Sequence, residues 1–437
     1  MTPPPTPPPT VTRSSAAVPD TRVLVVGTTT DYVHWIDRTW PGRALFITDP
    51  DQRRQGTEPA PDARTELVED LRSFQRVRRA LADHLRRYDI RLGGITCYDC
   101  EALGLAAKLA QGLELPYPSV DTIALCRDKL KCKSAWRAAD VPCPDGAVIH
   151  TAAEAIAFQK RVGGVCVLKP PTGSGSEYVF LCNGPDEAAA GVAAIRQAMV
   201  RQAGNRMYVG AGERIVAEQY AVGDEYSCDF LLEAHGLRVV RVAKKVRLPH
   251  GPFGTIHGYE VPAALPAGLS RAQLADVLHR AARAVGLSRS VCMADFIVTP
   301  GGPLMLELAP RPGGDCLPDL IRRAGGVDVI DLALDAAEGR PIHLPPAGRW
   351  KRHVAVRIHA AQRGTIHHID TREVAADPRV CQITLIRRKG HRVVLPPEHY
   401  DLWVLGFFIF RPDPKRPVAT QCEDLLARVR IVMEDAA

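Results

Sequence analysis

Two carboxylates set inside apolar runs, Asp295 and Glu307, are the residues whose chemistry most needs an explanation. Between them Pro300-Gly301-Gly302-Pro303 reads as a turn, so residues 294–298 and 304–308 are predicted as the two strands of a hairpin. That places the carboxylates on neighbouring strands. A buried carboxylate is costly unless it is paired or coordinates a metal. Two of them together suit Mg²⁺, which takes oxygen ligands and often shares its shell with substrate phosphates. The competing reading is a structural salt bridge to arginine at a strand end. Just past the second strand Arg311 precedes Pro312-Gly313-Gly314-Asp315, where small residues let an anion approach the backbone while the guanidinium grips it.

A complementary set of residues lies upstream. Residues 165–170 read as an apolar strand carrying Lys169 near its end, an expensive placement unless the ammonium meets an anion. The loop that follows, Thr172-Gly173-Ser174-Gly175-Ser176, either folds its N–H groups and hydroxyls over phosphates or is a plain hairpin turn. It is not a Walker A loop, because the lysine precedes the glycines. Lys129 begins a lysine-rich helix, a strand at 213–220 carries Glu218-Gln219-Tyr220, and Glu225 follows a turn at Gly223 into a strand at 226–233. Lys244 and Arg247, at the end of a strand at 237–246, either recognise a carboxylate or form a solvated strand end. The glycine-containing loop 249–259, with His257 and Tyr259, is a candidate substrate wall.

The elements that must position these groups begin with strands at 22–27 and 43–49 and a helix at 31–38 between them, a parallel α/β unit with right-handed crossover. A helix at 67–87, a strand at 94–98 and a helix at 101–111 extend it into a small doubly wound sheet over residues 21–120. Gly27-Thr28-Thr29-Thr30 lacks the glycine spacing of a dinucleotide site, which argues against an NAD role. Glu101, opening its helix after a strand end, is either a ligand contact or a carboxylate favoured by the helix dipole. Farther on come helices at 154–162 and 271–285, the latter capped by Ser270 and ended by Gly286. Beyond a proline-containing link the composition shifts to strands at 354–359, 380–387 and 402–410 and a terminal helix at 422–433.

Composition narrows the partners. The 437-residue chain is 24% charged with a formal net charge of +7, but its basic residues are dispersed, so no nucleic-acid partner is expected. No stretch has the length of a membrane span, and the Pro/Thr-rich segment 1–20 reads as a disordered tail without a signal-peptide core. No membrane partner and a cytoplasmic location are expected. The 12 cysteines fall in apolar contexts as reduced packing residues, and Cys97 and Cys100 lack the second pair a zinc site requires.

In order and spacing, Asp128-Lys129, the strand-end Lys169 with its Gly/Ser loop, the E-Q-Y-x-x-G-x-E stretch from Glu218 to Glu225, and the D-F…L-E-x-x-P-R-P-G-G stretch from Asp295 to Gly314 resemble the ATP-grasp superfamily. The likeness is best over residues 121–340, and within the superfamily the chain looks like the L-amino acid ligase branch. It implies an α/β and α+β multidomain fold. An N-terminal doubly wound parallel domain (21–120) precedes an ATP-grasp domain of two subdomains clasping ATP (121–212 and 213–340), and a mostly β C-terminal subdomain (341–437) follows. It also implies ATP and Mg²⁺ as cofactors. Lys129 and Lys169 would meet the phosphates, with Thr172, Gly173, Ser174, Gly175 and Ser176 closing over them. Glu218, Gln219 and Tyr220 would face the adenine and Glu225 the ribose, while Asp295 and Glu307 would hold Mg²⁺. Arg311 would be the catalytic residue that steadies an acyl phosphate.

Lys244, Arg247, His257, Tyr259, Gly313, Gly314 and Asp315 would meet small-molecule carboxylate and amine substrates, joined as an amide with release of ADP and phosphate. The C-terminal subdomain, with a turn at Gly364-Thr365-Ile366, would pack over the site or between subunits of a homodimer. His367 and His368 are expected on the surface. Two departures stand out: Ala309 occupies a position where many members have Asn, with Asp315 as a substitute oxygen donor, and Ile256 and Tyr259 replace a His and a Glu of the amino-acid ligases. Carboxylation, formyl-phosphate transfer to a nucleotide precursor and non-catalytic nucleotide binding are the alternative functions.

Overall fold

Runs such as Val23–Val26 are apolar at every position, as a strand covered on both faces requires. In the computed structural model, which describes residues 20–208, 210–234 and 236–434, this run lies in β1 (Asp20–Val26). Residues 1–19 of the expected tail lie outside the described residues. With β2 (Ala44–Thr48), β3 (Glu66–Val68) and β4 (Ile90–Thr96), β1 forms a parallel sheet in the order β3-β2-β1-β4. Alternate residues serve opposite faces. Val23 and Val25 pack with Leu320, Ile321 and Leu334 from helices far along the chain, whereas Leu24 and Val26 pack with Val77, Leu81 and Leu103 of the sheet's own helices. Leu67, expected in a helix, lies in β3, and the helix starts only at Phe74.

A second sheet comprises β5 (Gly146–Ile149), β6 (Cys166–Lys169), β7 (Phe180–Cys182) and β8 (Ile215–Gln219), antiparallel in the order β5-β8-β6-β7. Helices Ala152–Arg161 and Pro185–Arg201 bury Phe158, Val192 and Ile195 against it. The helix Lys129–Ala138 is capped by Asp128, whose side chain accepts from the N–H groups of Leu130 and Lys131. Trp136 of that helix is fully buried and donates to the Ala281 carbonyl at 3.0 Å, which fixes the helix against Arg271–Ala284 and aims Lys133 at Glu218 of the second sheet. A helix at Val120–Arg127 precedes it, an element the sequence reading did not anticipate.

The remaining strands are β9 (Asp224–Glu233), β10 (Gly236–Val246), β11 (Gly258–Val261), β12 (Ser290–Thr299), β13 (Gly302–Ala309), β14 (His353–His359), β15 (Gly364–Asp370), β16 (Val380–Leu385), β17 (Arg392–Val393), β18 (Val404–Phe410) and β19 (Arg430–Met433). Eight of them form one sheet in the order β13-β12-β9-β10-β11-β14-β18-β16, which continues through the β11–β14 pairing into the C-terminal part of the chain. Two expectations are corrected here. Residues 422–433 are a helix only as far as Leu426, because the β-branched run Arg430–Met433 pairs with β15 instead. Gly364-Thr365-Ile366 is no turn but the start of β15, on which His367 and His368 are exposed.

Candidate active site

The hairpin forms as its turn residues dictate, and its register sets Asp295 directly opposite Glu307. On the other flank β9 and then β10 bring Lys245 to the same place. The Lys245 ammonium donates to Asp295 Oδ2 and Glu225 Oε1, each at 2.6 Å, and Arg247 also contacts Glu225. Asp295 Oδ1 is buried without a partner. Burial foremost, with Glu307 and Glu225 adding repulsion, pushes the Asp295 carboxyl up to about 6 in spite of Lys245. Burial also opposes charge on Glu307, but Lys129, Lys245 and Lys169 outweigh it and hold that carboxyl below its ordinary value.

Across the cleft the signs are reversed. Glu218 of β8 accepts from Lys133 and Lys169, each at 2.6 Å, and Lys133 also donates to the Leu306 carbonyl at 2.8 Å. Burial would raise the Glu218 carboxyl, yet the two ammoniums hold it at about 2. Burial drives Lys169 down to about 8 despite Glu218, with Lys133 and Lys129 adding to the effect. Lys129 donates to the Gly173 carbonyl at 2.8 Å, and its N–H donates to the Pro171 carbonyl at 2.9 Å, so the helix start and the Gly/Ser loop are tied together. Within that loop Thr172 Oγ1 is buried without a partner and Ser176 takes a left-handed φ of 59°.

The segment from Arg311 to Asp315 is held from beneath. Gly313 donates its N–H to Asp229 Oδ1 at 2.9 Å, and Arg241 Nε donates to Asp229 Oδ2 at 2.9 Å, both of those side chains being fully buried. A Cβ on Gly313 would lie 2.6 Å from Arg241 Nη2 and 3.0 Å from Leu317 Cδ1, so a side chain here would displace the Arg241 guanidinium. Arg311 donates from Nη1 to the Pro312 carbonyl at 2.6 Å and from Nε to Cys100 Sγ at 3.1 Å. Asp315, with φ of 61°, pairs with Arg357 at 2.6 Å.

One cleft of about 380 Å³ is lined by the residues expected at phosphates, adenine, ribose and metal, together with Arg311, Arg247, Tyr259, Gly314 and Asp315. Three residues expected at the substrates do not line this cleft. Lys244 points away from the cleft and pairs with Asp224 at 2.7 Å; its neighbour Lys245 is the inward lysine, since successive side chains on a strand face opposite ways. His257 lies behind the cleft wall, where Nδ1 accepts from the Leu248 N–H at 3.0 Å and burial foremost lowers the imidazole to about 4. Gly313 sits beneath the cleft floor on Asp229. Glu218 lines the cleft, but both its oxygens are engaged by lysines. The sequence reading missed Lys133, Lys245 and Arg357.

The opposed carboxylates and the unpartnered Asp295 oxygen form an oxygen-donor set suited to a hard divalent cation. Among the described residues there is no group of three or more His, Cys, Asp or Glu that could hold a metal. A cation at Asp295 and Glu307 would therefore complete its shell with water and phosphate oxygens, as Mg²⁺ does.

Residues 162–319 match the ATP-grasp domain family, which contains the Gly/Ser loop, the Glu218 strand and the carboxylate hairpin alike. Over this stretch the chain is similar to ATP-grasp domains. It is similar to the uncharacterized protein y4rH of Sinorhizobium fredii, at 28% identity over 71% of this chain and 62% of that protein. It is also similar to a D-alanine–D-alanine ligase of Acidovorax ebreus, at 25% identity over 45% of this chain and 58% of the ligase. The matches thus span about three fifths of the length of these two relatives. The crystal structure of an L-amino acid ligase from Bacillus licheniformis superposes with a TM-score of 0.75 over 95% of this chain and 99% of that one, at 18% identity, a likeness of fold.

Proposed function

We propose that the protein is an ATP-dependent carboxylate–amine ligase that forms an amide or peptide bond by way of an acyl phosphate. The observation that carries this reading is the Asp295–Glu307 pair, with one oxygen unpartnered, facing Lys129 and Lys169 within a single cleft. The kinship with D-alanine–D-alanine ligases supports it. Lys129, Lys169 and the N–H groups of residues 172–176 bind the phosphates, and Glu225 is within the cleft to meet the ribose. Mg²⁺ held by Asp295 and Glu307 would neutralise charge on the transferring phosphoryl group.

The acid's oxygen bonds to the γ-phosphorus as the bond to the bridging oxygen breaks and ADP leaves. The amine nitrogen then bonds to the acyl carbon, inorganic phosphate departs, and the nitrogen gives up a proton. Arg311, its direction fixed by the Pro312 carbonyl, stabilises negative charge on the acyl phosphate. No side chain serves as a nucleophile, so the rate comes from positioning and electrostatics.

The test measures ADP and phosphate release with Mg-ATP across pairs of small acids and amines, with mass analysis of the products. A dehydrated adduct that needs both components is expected. ADP release that needs only bicarbonate would replace this reading with carboxylation, and nucleotide binding without turnover on any pair would leave a binding protein. Asp295→Asn and Glu307→Gln should each lower turnover about 10²–10³-fold while ATP still binds; full activity in either variant would remove that residue from the metal site.

A further inference from the structure

The loop 249–257 has a cavity on each side. Phe253, Gly254 and Ile256 border the cleft, whereas His250, Gly251 and Pro252 border a second chamber of about 670 Å³. Leu395, Trp403, Leu426, Val429 and Ile431 line this chamber, from elements that all lie in the C-terminal part of the chain. Its size is that of a small-molecule site rather than of a packing defect.

The polar groups of the chamber are unevenly placed. Arg357, half-buried, belongs to the walls of both cavities, so the chamber shares this cation with the cleft. Its guanidinium donates from Nε to Asp315 at 2.7 Å and from Nη1 to the Ile256 carbonyl at 3.1 Å, with Nη2 2.6 Å from Asp315. A guanidinium has more N–H groups than these contacts use, which leaves capacity for a further acceptor. His359 packs tilted against Trp403 with ring centroids 4.3 Å apart, and burial foremost lowers its imidazole to about 3, so it is neutral at pH 7. Glu423 is exposed and repels anions from that part of the lining.

We propose that this chamber binds the apolar body of a small carboxylic acid, aryl or branched alkyl, whose carboxylate is held by Arg357 where chamber and cleft meet. The apolar lining gives affinity by removing the body from water. Charge complementarity orients the acid, with Arg357 attracting the head group and Glu423 disfavouring the reverse pose. Resting on the ligase reading, this acid is the substrate activated beside Arg311, and the chamber selects bulky apolar acids over short ones.

The test is calorimetric titration of the full chain, without nucleotide, with 4-phenylbutyrate, butyrate and 4-phenylbutylamine. Phenylbutyrate is expected to bind at least about tenfold tighter than either comparator, because one lacks the body and the other the carboxylate. Ala427→Trp and Val429→Phe, which fill the chamber, should abolish that preference while thermal midpoint and Mg-ATP binding are kept; two variants guard against misfolding of one. Equal affinity for the three probes, or full phenylbutyrate affinity in a folded filled variant, overturns the proposal whatever the turnover assays give. Selective binding that both fillings abolish, together with no ADP formed from any acid, establishes the chamber and overturns only the ligase reading.

Discussion

The two walls of the cleft carry the same three-membered motif with opposite sign. On the small sheet a carboxylate, Glu218, lies between two ammoniums, Lys133 and Lys169; on the large sheet an ammonium, Lys245, lies between two carboxylates, Glu225 and Asp295. In both, the middle residue has its charge secured by two partners. Glu218 is held at about 2, and Lys245 is raised above the ordinary lysine value by Asp295 and Glu225 against burial. In both, an outer residue facing the cleft is left less secure: Lys169 falls to about 8 and Asp295 rises to about 6. The lesson is that the buried centre holds the geometry, and the insecure outer charge is the one that gains most from a phosphate or a cation.

The largest effects should come from removing the centres. Lys133 is fully buried and depends on Glu218, so Glu218→Gln should cost about 3–5 kcal/mol, the range for breaking a buried pair. Lys245→Met should cost less, and its cost should shrink on acidification, since Asp295 already titrates near 6 and can relieve the repulsion by taking up a proton. Urea denaturation of both variants and the wild type at pH 8 and pH 6 measures this. Equal losses for the two variants at both pH values would show that the walls do not differ in the way their titration suggests.

Intermediate effects separate the outer charges by pH. Lys169 is protonated below about 8, so nucleotide affinity should be full below that value and fall by about tenfold per unit above it. Asp295 is ionised above about 6, so Mg²⁺ affinity should be full above that value and fall at a similar slope below it. Titrations of ATP at fixed Mg²⁺ and of Mg²⁺ at fixed ATP report the two limbs. Lys169→Arg should flatten the alkaline limb and leave the acid one; an unchanged alkaline limb would assign that proton to another group.

How much of this was legible follows from how each residue announces itself. The hairpin was readable because a Pro-Gly-Gly-Pro turn joins two apolar runs each broken by one carboxylate, and Lys169 because a lysine ends an otherwise apolar strand. Lys133 was not, since it is one of three lysines, with Lys129 and Lys131, on a single helix and only the docking of Trp136 on Ala281 decides its face. Arg357 reaches the cleft through the β11–β14 pairing, which joins segments about a hundred residues apart and leaves no local signal. The same holds for β19: its pairing with β15 overrides a run that continued the preceding helix.

The finest distinction concerns two adjacent lysines of β10. Sequence position alone favours neither Lys244 nor Lys245, yet a one-residue step on a strand turns a side chain to the opposite face. Lys245 is 4% exposed and serves two carboxylates of the site, whereas Lys244 is 39% exposed and meets only Asp224 at the surface. An exposed pair of this kind contributes about 0–1 kcal/mol. Lys244→Ala should therefore shift the denaturation midpoint little and leave ATP and Mg²⁺ affinities unchanged, in contrast to Lys245→Met. Since both variants remove one positive charge at neighbouring positions, a general effect of net charge would move the two alike. A tenfold loss of nucleotide affinity in Lys244→Ala would mean that the cleft senses the strand's total charge rather than the register that points one ammonium inward.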